Sequence, residues 1–293
     1  MTDHGVDKSW LQKGFSSTLG VSRKIIIFTD LDGTLLDVVY SYHAANEALH
    51  SIREQDIPLV ICSSKTRAEI EYYQAKIEIA GPFIPENGGA VYIPRGYFSR
   101  ETEDSINFDE NEEGFRIIRL GADYRDLRAA LVELRDSGFD VQGFGDMSGP
   151  EIALLTKLPE DQAMLAARRE FDEPFIFEGT AEETGRMADA IRSKGFDLAR
   201  GAFFHIFGQS DKGRAVSILI DIYLREFAGI LTVALGDSSI DLPMLRIVDV
   251  PVMIQKPDGS FDPELERENF QRADGIGPHG WNKAVMKILS SSP

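Results

Sequence analysis

Residues 25–36 read Ile25-Ile26-Ile27-Phe28-Thr29-Asp30-Leu31-Asp32-Gly33-Thr34-Leu35-Leu36, a run of β-forming residues that leads directly into two acids and a Gly-Thr turn. A buried strand that ends in this way delivers Asp30 and Asp32 to the carboxyl edge of a sheet, where open α/β folds keep their active sites. Because side chains alternate along a strand, both carboxylates should leave on the same side. Two like charges so close are costly unless a cation or a proton lies between them. The stretch therefore predicts a Mg²⁺ site in which one carboxylate attacks a substrate and the other transfers protons, with an acidic turn after a strand as the simpler alternative.

The composition is that of an ordinary soluble globular chain. Its 293 residues suffice for a large core and for two domains, and 43% are hydrophobic and 27% charged. The net charge of −17, without any block of basic residues, argues against binding to nucleic acids or anionic membranes. No segment approaches the roughly 20 apolar residues of a membrane span. Residues 1–20 lack the apolar run of a signal peptide and are expected to form a loose N-terminal extension.

The single cysteine, Cys62, lies in the apolar segment Pro58-Leu59-Val60-Ile61-Cys62. One thiol cannot form an intrachain disulfide, and this cysteine usage is typical of a cytoplasmic protein. The apolar neighbours favour a buried core thiol over a reactive one.

Strand-like segments alternate with amphipathic helices at both ends of the chain, which predicts an α/β fold with a mostly parallel sheet. The expected strands of this part are 25–28, 59–62, 83–85, 203–207 and 231–235. Helices are expected over 43–54, from about residue 67 to a stop at Gly81-Pro82, and after Asp211. The unbroken apolar strand 231–235 is typical of the middle of a parallel sheet.

The middle of the chain has a different character, and we expect a separate α+β module there. Residues 99–114 are acidic and are predicted to form a loop. A helix should carry Tyr124, Leu127, Leu131 and Leu134, and a second helix, after Pro159, should carry Met164, Leu165 and the pair Arg168-Arg169. Short strands are expected near 117–120, 152–155 and 174–177.

Four features lie at strand ends or helix starts in the outer parts of the chain. They are the pair Asp30 and Asp32, Ser63 after the second strand, Lys212 at a helix start, and Gly236-Asp237-Ser238-Ser239-Ile240-Asp241 after the apolar strand. A hydroxyl with the amides that follow it, and a lysine at a helix start, suit phosphate oxygens. Each feature alone has a simpler interpretation as a helix cap or a surface charge.

Together and in this order, the four features resemble the motifs of the haloacid-dehalogenase-like hydrolase superfamily, over residues 24–90 and 203–290. The long interval from Ser63 to Lys212 is similar to members whose cap is inserted between the second and third motifs. The resemblance implies a Rossmann-like core domain of residues 21–90 and 203–293, with an α+β cap (lid) domain of residues 91–202.

The resemblance also implies roles for these residues. Asp30 would be the nucleophile that forms an aspartyl-phosphate, and Asp32 the general acid and base. Mg²⁺ would be held by Asp30, by Asp237 and by the main-chain carbonyl of Asp32, with Asp241 supporting the site. Ser63, with Ser64 after it, and Lys212 would hold phosphoryl oxygens.

Within the superfamily the chain resembles the mannosyl-3-phosphoglycerate phosphatases. This resemblance implies that the protein is a phosphatase, that its substrate is a phosphorylated sugar, and that it acts in mannosylglycerate biosynthesis. The residues that carry this resemblance are Cys62-Ser63-Ser64-Lys65-Thr66-Arg67-Ala68-Glu69, Pro85-Glu86-Asn87-Gly88-Gly89-Ala90, Arg168-Arg169-Glu170-Phe171-Asp172-Glu173-Pro174-Phe175 and Gly280-Trp281-Asn282-Lys283-Ala284-Val285. One position departs from the superfamily pattern, because Ile240 stands where Asn is usual.

Residues outside the four motifs are candidate substrate contacts. Arg168 and Arg169 would clamp a carboxylate or a second anionic group, with a solvated helix face as the alternative, and Lys65 and Arg67 would serve the same end from the core side. Glu86 and Asn87 would bind sugar hydroxyls, with a simple turn as the alternative. His205 is predicted to be structural, and His279 and Trp281 to anchor a last helix capped by Asn282.

Two alternatives to a glycosyl-3-phosphoglycerate phosphatase stay open from the sequence. The first is a broader sugar-phosphate phosphatase or phosphomutase, which would not need Arg168 and Arg169. The second is a non-catalytic relative that binds a phosphosugar, an interpretation that only Ile240 favours.

Overall fold

A computed structural model describes residues 23–112 and 114–291. Its strands are β1 (Lys24–Thr29), β2 (Leu59–Cys62), β3 (Phe83–Ile84), β4 (Ala90–Pro94), β5 (Glu110–Glu112), β6 (Phe115–Arg119), β7 (Val141–Gly143), β8 (Asp172–Phe177), β9 (Asp197–Arg200), β10 (Phe204–Phe207), β11 (Ile230–Gly236), β12 (Val250–Gln255) and β13 (Gln271–Ile276). The α-helices are α1 (Asn46–Glu54), α2 (Arg67–Lys76), α3 (Arg100–Asp104), α4 (Tyr124–Asp136), α5 (Gly149–Thr156), α6 (Glu160–Ala166), α7 (Ala181–Ser193), α8 (Lys212–Glu226), α9 (Leu242–Leu245) and α10 (Gly277–Ser291). Short 3₁₀ turns cover His43–Ala45, Phe144–Asp146, Ser239–Asp241 and Leu265–Arg267.

The described chain forms two compact units. The first comprises residues 23–60, 98–103 and 217–291, and the second comprises residues 61–97, 104–112 and 114–216. Strand β2 contributes its first two residues to one unit and its last two to the other.

The first unit is built on parallel strands in the order β13-β12-β11-β1. Strand β11 has a parallel neighbour on each side, and all its residues are buried, as a strand covered on both faces requires. The main-chain N–H of Ile27 donates to the carbonyl of Pro58, so the start of β2 lies beside β1. The prediction that residues 231–235 form a central strand of a parallel sheet is confirmed.

Within the first unit, the C-terminal helix α10 is hydrogen-bonded to strand β1. Trp281 in α10 is fully buried, and its indole N–H donates to Oγ1 of Thr29 over 2.9 Å, as the predicted anchor requires. Asn282 does not cap its own helix as predicted, because α10 begins at Gly277. Its Oδ1 instead accepts from the N–H of Ala48 over 2.8 Å, which caps the N-terminal turn of α1.

The second unit contains two sheet regions. Strand β3 pairs in parallel with β2, and β3, β4, β6 and β5 follow one another as antiparallel neighbours. A separate antiparallel sheet has the order β7-β8-β10-β9. The α/β class, with a mostly parallel central sheet and a separate antiparallel sheet, is therefore as predicted.

One face of the antiparallel sheet is covered by α4 and α7. Leu127 and Leu131 of α4 and Met187 of α7 pack with Phe175 of β8 and Ile206 of β10 in one buried cluster. The helical spacing of residues 124–134 thus buries the predicted face. Helix α7 was not predicted, although Thr180 and Glu183 form a capping box at its start.

Strands β5 and β6, and all of β4 except its first residue, lie inside the range 91–202 that was predicted as the cap. These strands nevertheless continue the sheet that contains β3. The strand at 203–207 exists as β10, but the prediction that it resumes the parallel pattern is wrong, because it pairs antiparallel with β8 and β9. The domain boundaries at 90 and 203 stay a prediction.

Three local predictions are wrong. Residues 152–155 belong to helix α5 instead of a strand, because Glu151 Oε2 accepts from both N–H and Oγ of Ser148 in a capping box at the helix start. The acidic segment 99–114 is not a plain loop, since it contains α3 and β5. Helix α6 ends at Ala166, so Arg168 and Arg169 follow it instead of lying on it.

The predicted N-terminal extension of residues 1–20 lies outside the described residues. Within the described ones, no helix combines the length and the apolar character needed to cross a membrane.

Candidate active site

Three acids of the first unit converge at the carboxyl ends of β1 and β11. Asp30 directly follows β1, and its N–H donates to the carbonyl of Leu235 in β11 over 3.0 Å. Asp237 directly follows β11, and Asp241 ends the 3₁₀ turn after it. One carboxylate oxygen from each of Asp30, Asp237 and Asp241 lies within 4.8 Å of the other two. This is the edge of the sheet at which the sequence predicts the site.

Small residues make room for these carboxylates. A Cβ atom on Gly33, which has φ +81°, would lie 2.6 Å from Oδ2 of Asp237, and one on Gly236 would lie 2.5 Å from Cβ of Asp241. Thr34 Oγ1 donates to Oδ1 of Asp237 over 3.3 Å. Sequence reasoning assigned no role to Thr34, although it follows the acids in the quoted stretch.

Asp241 is fully buried, and its carboxylate is fixed by the chain around it. Its Oδ2 accepts from the N–H groups of Asp237 and Ser238, both over 3.1 Å, and from Oγ of Ser238. Asp241 therefore holds the segment that carries Asp237 beside the acidic group.

The acidic group fits a hard divalent cation. Three carboxylates so close together repel one another unless a cation balances them, and carboxylate oxygens are the donors that such cations prefer. Asp30 and Asp241 are both buried, which makes their unbalanced charge more costly than on a surface.

Asp32 lies in the tight turn that follows β1. The N–H groups of Thr34 and Leu36 both donate to the carbonyl of Leu31, and Asp32 forms an isolated bridge with Leu36. Its side chain is half-buried and is not among the three acids that converge in the described chain. The expected contribution of its main-chain carbonyl to a metal site stays a prediction.

The phosphate-binding candidates belong to the second unit and meet at one turn. Ser63 is fully buried directly after β2, and its carbonyl accepts from the N–H of Asn87 over 2.9 Å. Lys212, the first residue of α8, is 2% exposed. A Cβ atom on Gly88 would lie 2.3 Å from the carbonyl oxygen of Asp211 and 2.9 Å from the N of Lys212. The turn that includes Asn87 and Gly88 therefore contacts both the Ser63 segment and the start of α8.

This turn has an unusual backbone. Glu86, Asn87 and Gly88 have φ values of +48°, +56° and +99°, and two of these three residues are not glycine. Residues in the left-handed region are costly and tend to occur at functional sites. The Oδ1 atom of Asn87 is buried and has no hydrogen-bond partner in the described parts of the chain. Such an acceptor suits a ligand group that carries a hydrogen-bond donor.

The Glu86 carboxylate accepts hydrogen bonds from the protein's own main chain. It is 1% exposed, and it accepts from the N–H groups of Glu170, Phe171 and Asp172, the last two over 2.7 Å. Burial raises the pKa of Glu86 to about 8, while Arg169 and the main-chain donors favour its charged form. Through these hydrogen bonds, Glu86 connects the turn to the segment 170–172.

Three of the predicted substrate-binding cations are also bound within the second unit. Lys65 is 6% exposed and pairs with Glu69 over 3.4 Å, and Arg67 pairs with Glu170 over 3.1 Å. Arg169 is half-buried and donates to the carbonyl of Ser64 over 2.9 Å.

Burial opposes the charged guanidinium of Arg169, but nearby carboxylates, Asp172 and Glu86 first among them, outweigh it and raise the pKa of Arg169. Arg168, by contrast, is exposed. The sequence offers no signal that Arg67 pairs with Glu170 or that Arg169 binds Ser64, because each of these pairs is more than a hundred positions apart.

The predicted structural histidine, His205, is paired with an acid of the same sheet. Its Nδ1 lies 2.9 and 3.0 Å from the two carboxylate oxygens of Asp172, which is fully buried. Sequence reasoning missed this partner.

Comparisons with known proteins agree with the geometry. A family model described as haloacid dehalogenase-like hydrolase matches residues 27–120. A glucosyl-3-phosphoglycerate/mannosyl-3-phosphoglycerate phosphatase from Methanococcoides burtonii is 43% identical over 272 residues, which cover 92% of this chain and 98% of the relative. A mannosyl-3-phosphoglycerate phosphatase from Pyrococcus furiosus is 38% identical over 252 residues, which cover 86% of this chain and 96% of the relative.

Solved structures share the fold. A haloacid dehalogenase-like hydrolase from Bacteroides thetaiotaomicron has a TM-score of 0.63 at 18% identity, covering 91% of this chain and 99% of that one. Identity over nearly the full length, together with the order of the four motifs, fixes the relationship. The chain belongs to the haloacid dehalogenase-like hydrolases and, within them, to the family of the mannosyl-3-phosphoglycerate phosphatases.

Proposed function

We propose that the protein is a Mg²⁺-dependent phosphatase that hydrolyses mannosyl-3-phosphoglycerate, or a close glycosyl-3-phosphoglycerate, to the glycosylglycerate. The names of relatives at 43% and 38% identity support this substrate class. The observation that carries the chemistry is the convergence of Asp30, Asp237 and Asp241 at the end of β1.

Asp30 and Asp32 divide the chemical work. The Asp30 carboxylate attacks phosphorus and forms an aspartyl-phosphate, while the bond from phosphorus to the substrate oxygen breaks. Asp32 gives a proton to that leaving oxygen, and then removes a proton from the water that hydrolyses the aspartyl-phosphate. The half-buried position of Asp32 in the turn after β1 supports exchange of protons with substrate and water.

The carboxylates of Asp30 and Asp237 and the main-chain carbonyl of Asp32 would hold Mg²⁺, with Asp241 as support. When bound, the cation balances the charge of the acids and of the transferred phosphoryl group. The Thr34 hydrogen bond to Asp237 supports this arrangement by fixing one of the carboxylates.

Ser63, the amide of Ser64 and the ammonium group of Lys212 would hold the phosphoryl oxygens, where charge spreads in the transition state. The contacts of one turn with both the Ser63 segment and the start of α8 support a shared role.

The unpartnered Oδ1 of Asn87 would accept from a substrate hydroxyl. We assign supporting rather than direct roles to Lys65, Arg67, Glu86 and Arg169, because each is bound within the protein. Arg168 is the exposed cation that would meet the glycerate carboxylate.

The test is phosphate release from mannosyl-3-phosphoglycerate, glucosyl-3-phosphoglycerate and mannose 6-phosphate, with Mg²⁺ and with chelator. We expect chelator-sensitive turnover that favours the glycosyl-phosphoglycerates, and a loss of kcat on the order of 10⁴-fold or more in Asp30→Asn. Asp136→Asn, an exposed charge change in α4, is the matched control and should keep its activity.

Two other outcomes would redirect the assignment. Turnover of mannose 6-phosphate alone would keep the catalytic residues and reject the substrate. Absence of turnover on all three compounds would favour a phosphosugar-binding relative, for which Ile240 beside the buried Asp241 is the one supporting feature.

We also propose that the protein acts in the cytoplasm, which the buried, single Cys62 supports.

A further inference from the structure

The antiparallel sheet of the second unit has a face that its helices do not cover. Phe204 and Ile206 of β10 and Phe175 of β8 point into the cluster with α4 and α7. Because side chains alternate along strands, His205 and Phe207 of β10 lie on the opposite face. Both are half-buried there.

The cross-strand register shows what surrounds His205 on this face. His205 lies opposite Pro174 in β8 and opposite Ala199 in β9. Ile176, two residues beyond Pro174, shares the face and is also half-buried. The same face also carries Gln142, opposite Ile176, and Asp172 and Asp197, opposite Phe207. It therefore combines apolar side chains with one imidazole and a few polar groups, which is the composition of a site for a small organic ligand.

The imidazole is held in one orientation. Both carboxylate oxygens of Asp172, a fully buried residue, lie within 3.0 Å of Nδ1, so this nitrogen carries the hydrogen. In the neutral ring, Nε2 is then a hydrogen-bond acceptor. The side chain is 17% exposed, and Nε2 makes no hydrogen bond to the part of the chain that the structure describes.

The pair is linked to the phosphate-binding turn through few contacts. The N–H of Asp172 donates to Glu86 over 2.7 Å, and Glu86 adjoins Asn87, whose N–H donates to Ser63. His205 and Ser63 are thus connected within one unit through Asp172, Glu86 and Asn87. Glu86, a residue predicted to bind sugar hydroxyls, instead accepts hydrogen bonds from main-chain N–H groups.

We propose that His205 is a substrate-binding residue whose Nε2 accepts a hydrogen bond from a hydroxyl of the glycosyl group. This inference rests on the proposed function and names the residue that recognises the sugar. Asp172 acts as a positioning residue, because it fixes the tautomer and the orientation of the ring.

The test uses two substitutions that separate the two nitrogens. His205→Asn keeps an N–H close to the position of Nδ1 and removes Nε2, whereas His205→Gln keeps a polar group near Nε2 and gives up the bond to Asp172. His50→Asn, at an exposed histidine of α1, is the matched control with unchanged activity. Each protein is assayed on mannosyl-3-phosphoglycerate and on p-nitrophenyl phosphate, which has no sugar.

For His205→Asn we expect kcat/KM on the glycosyl substrate to fall about 3- to 10-fold more than on p-nitrophenyl phosphate, mainly through KM, as loss of one uncharged hydrogen bond predicts. His205→Gln should retain more of the sugar preference than His205→Asn.

Equal losses on both substrates in His205→Asn, or full activity in that variant, would overturn the proposal and leave His205 a purely structural partner of Asp172. Unfolding of both variants, followed by circular dichroism, would overturn it in the same way. Failure of the proposed function is separate, because it appears as wild-type protein that does not hydrolyse the glycosyl substrate at all.

Discussion

A methyl group at position 33 would enter the space that the Asp237 carboxylate now occupies. We expect Gly33→Ala to weaken apparent Mg²⁺ affinity by about 10- to 100-fold, because it displaces the Asp237 carboxylate, one of the proposed ligands. The measurement is the Mg²⁺ concentration that gives half-maximal phosphate release.

Gly138→Ala is a matched control for this substitution. Gly138 has φ +91° but faces open space, so the variant shares the backbone cost of roughly 1–2 kcal/mol without touching an acid. The same Mg²⁺ requirement in both variants would show that the effect is one of backbone strain and not of the Asp237 position.

The positions of the motif residues were predictable one by one, because each depends on a local pattern. Asp30 follows β1, Ser63 follows β2, Lys212 begins α8 and Asp237 follows β11, as the sequence indicates. The hydrogen bond of Arg169 within the protein was not predictable, because the carbonyl that accepts it belongs to Ser64, 105 positions earlier.

At the scale of elements, the left-handed turn at Glu86 carries a pH dependence. A carboxyl whose folded-state pKa is raised to about 8, above its ordinary value of 4.5, makes the folded state lose stability as pH rises between these two values. We expect this loss to be smaller in Glu86→Gln, measured by urea unfolding at pH 5, 6.5 and 8. Glu101→Gln, at an exposed carboxylate, is the control.

The same variant should also be less stable at every pH, by about 1–3 kcal/mol, because an amide cannot accept from all three N–H groups. An unchanged slope of stability against pH would show that the Glu86 carboxyl is ionised in the folded protein well below pH 8.

Element type was predictable where periodicity was strong and failed where the apolar run was short. Residues 124–136 repeat at helical spacing and form α4, but residues 152–155 form a compact apolar run that suits either state. The capping box of Ser148 and Glu151 stabilises the start of the helix, and the spacing of these two residues could have been recognised in the sequence.

At the scale of the whole molecule, the acidic group predicts that Mg²⁺ stabilises the fold. Binding to the folded state alone adds about 2.7 kcal/mol at 100 times the dissociation constant, or roughly 5–10 °C in Tm. We expect this rise in wild type and in Asp136→Asn, and its loss in Asp237→Asn. Equal rises in all three proteins, followed by thermal denaturation, would place the stabilising ion elsewhere.

The second prediction at this scale concerns the proposed cap. Strand pairing favours a moving part of residues 122–207, which starts later than the predicted 91–202 and extends beyond it to include β10. If this part closes over substrate, small-angle scattering should give a smaller radius of gyration with Mg²⁺ and a phosphate analogue than without them. Identical scattering curves would argue against closure.

Strand β1 pairs with β11, which lies about two hundred residues later in the chain, and Thr29 accepts a hydrogen bond from Trp281. During synthesis, the second unit is therefore translated before the first is complete, since all its residues precede position 217. Asp30 is translated about two hundred residues before Asp237 and Asp241, so a nascent chain that has not reached these two acids has no assembled acidic group. The acidic group can therefore assemble only after residue 241 has been translated.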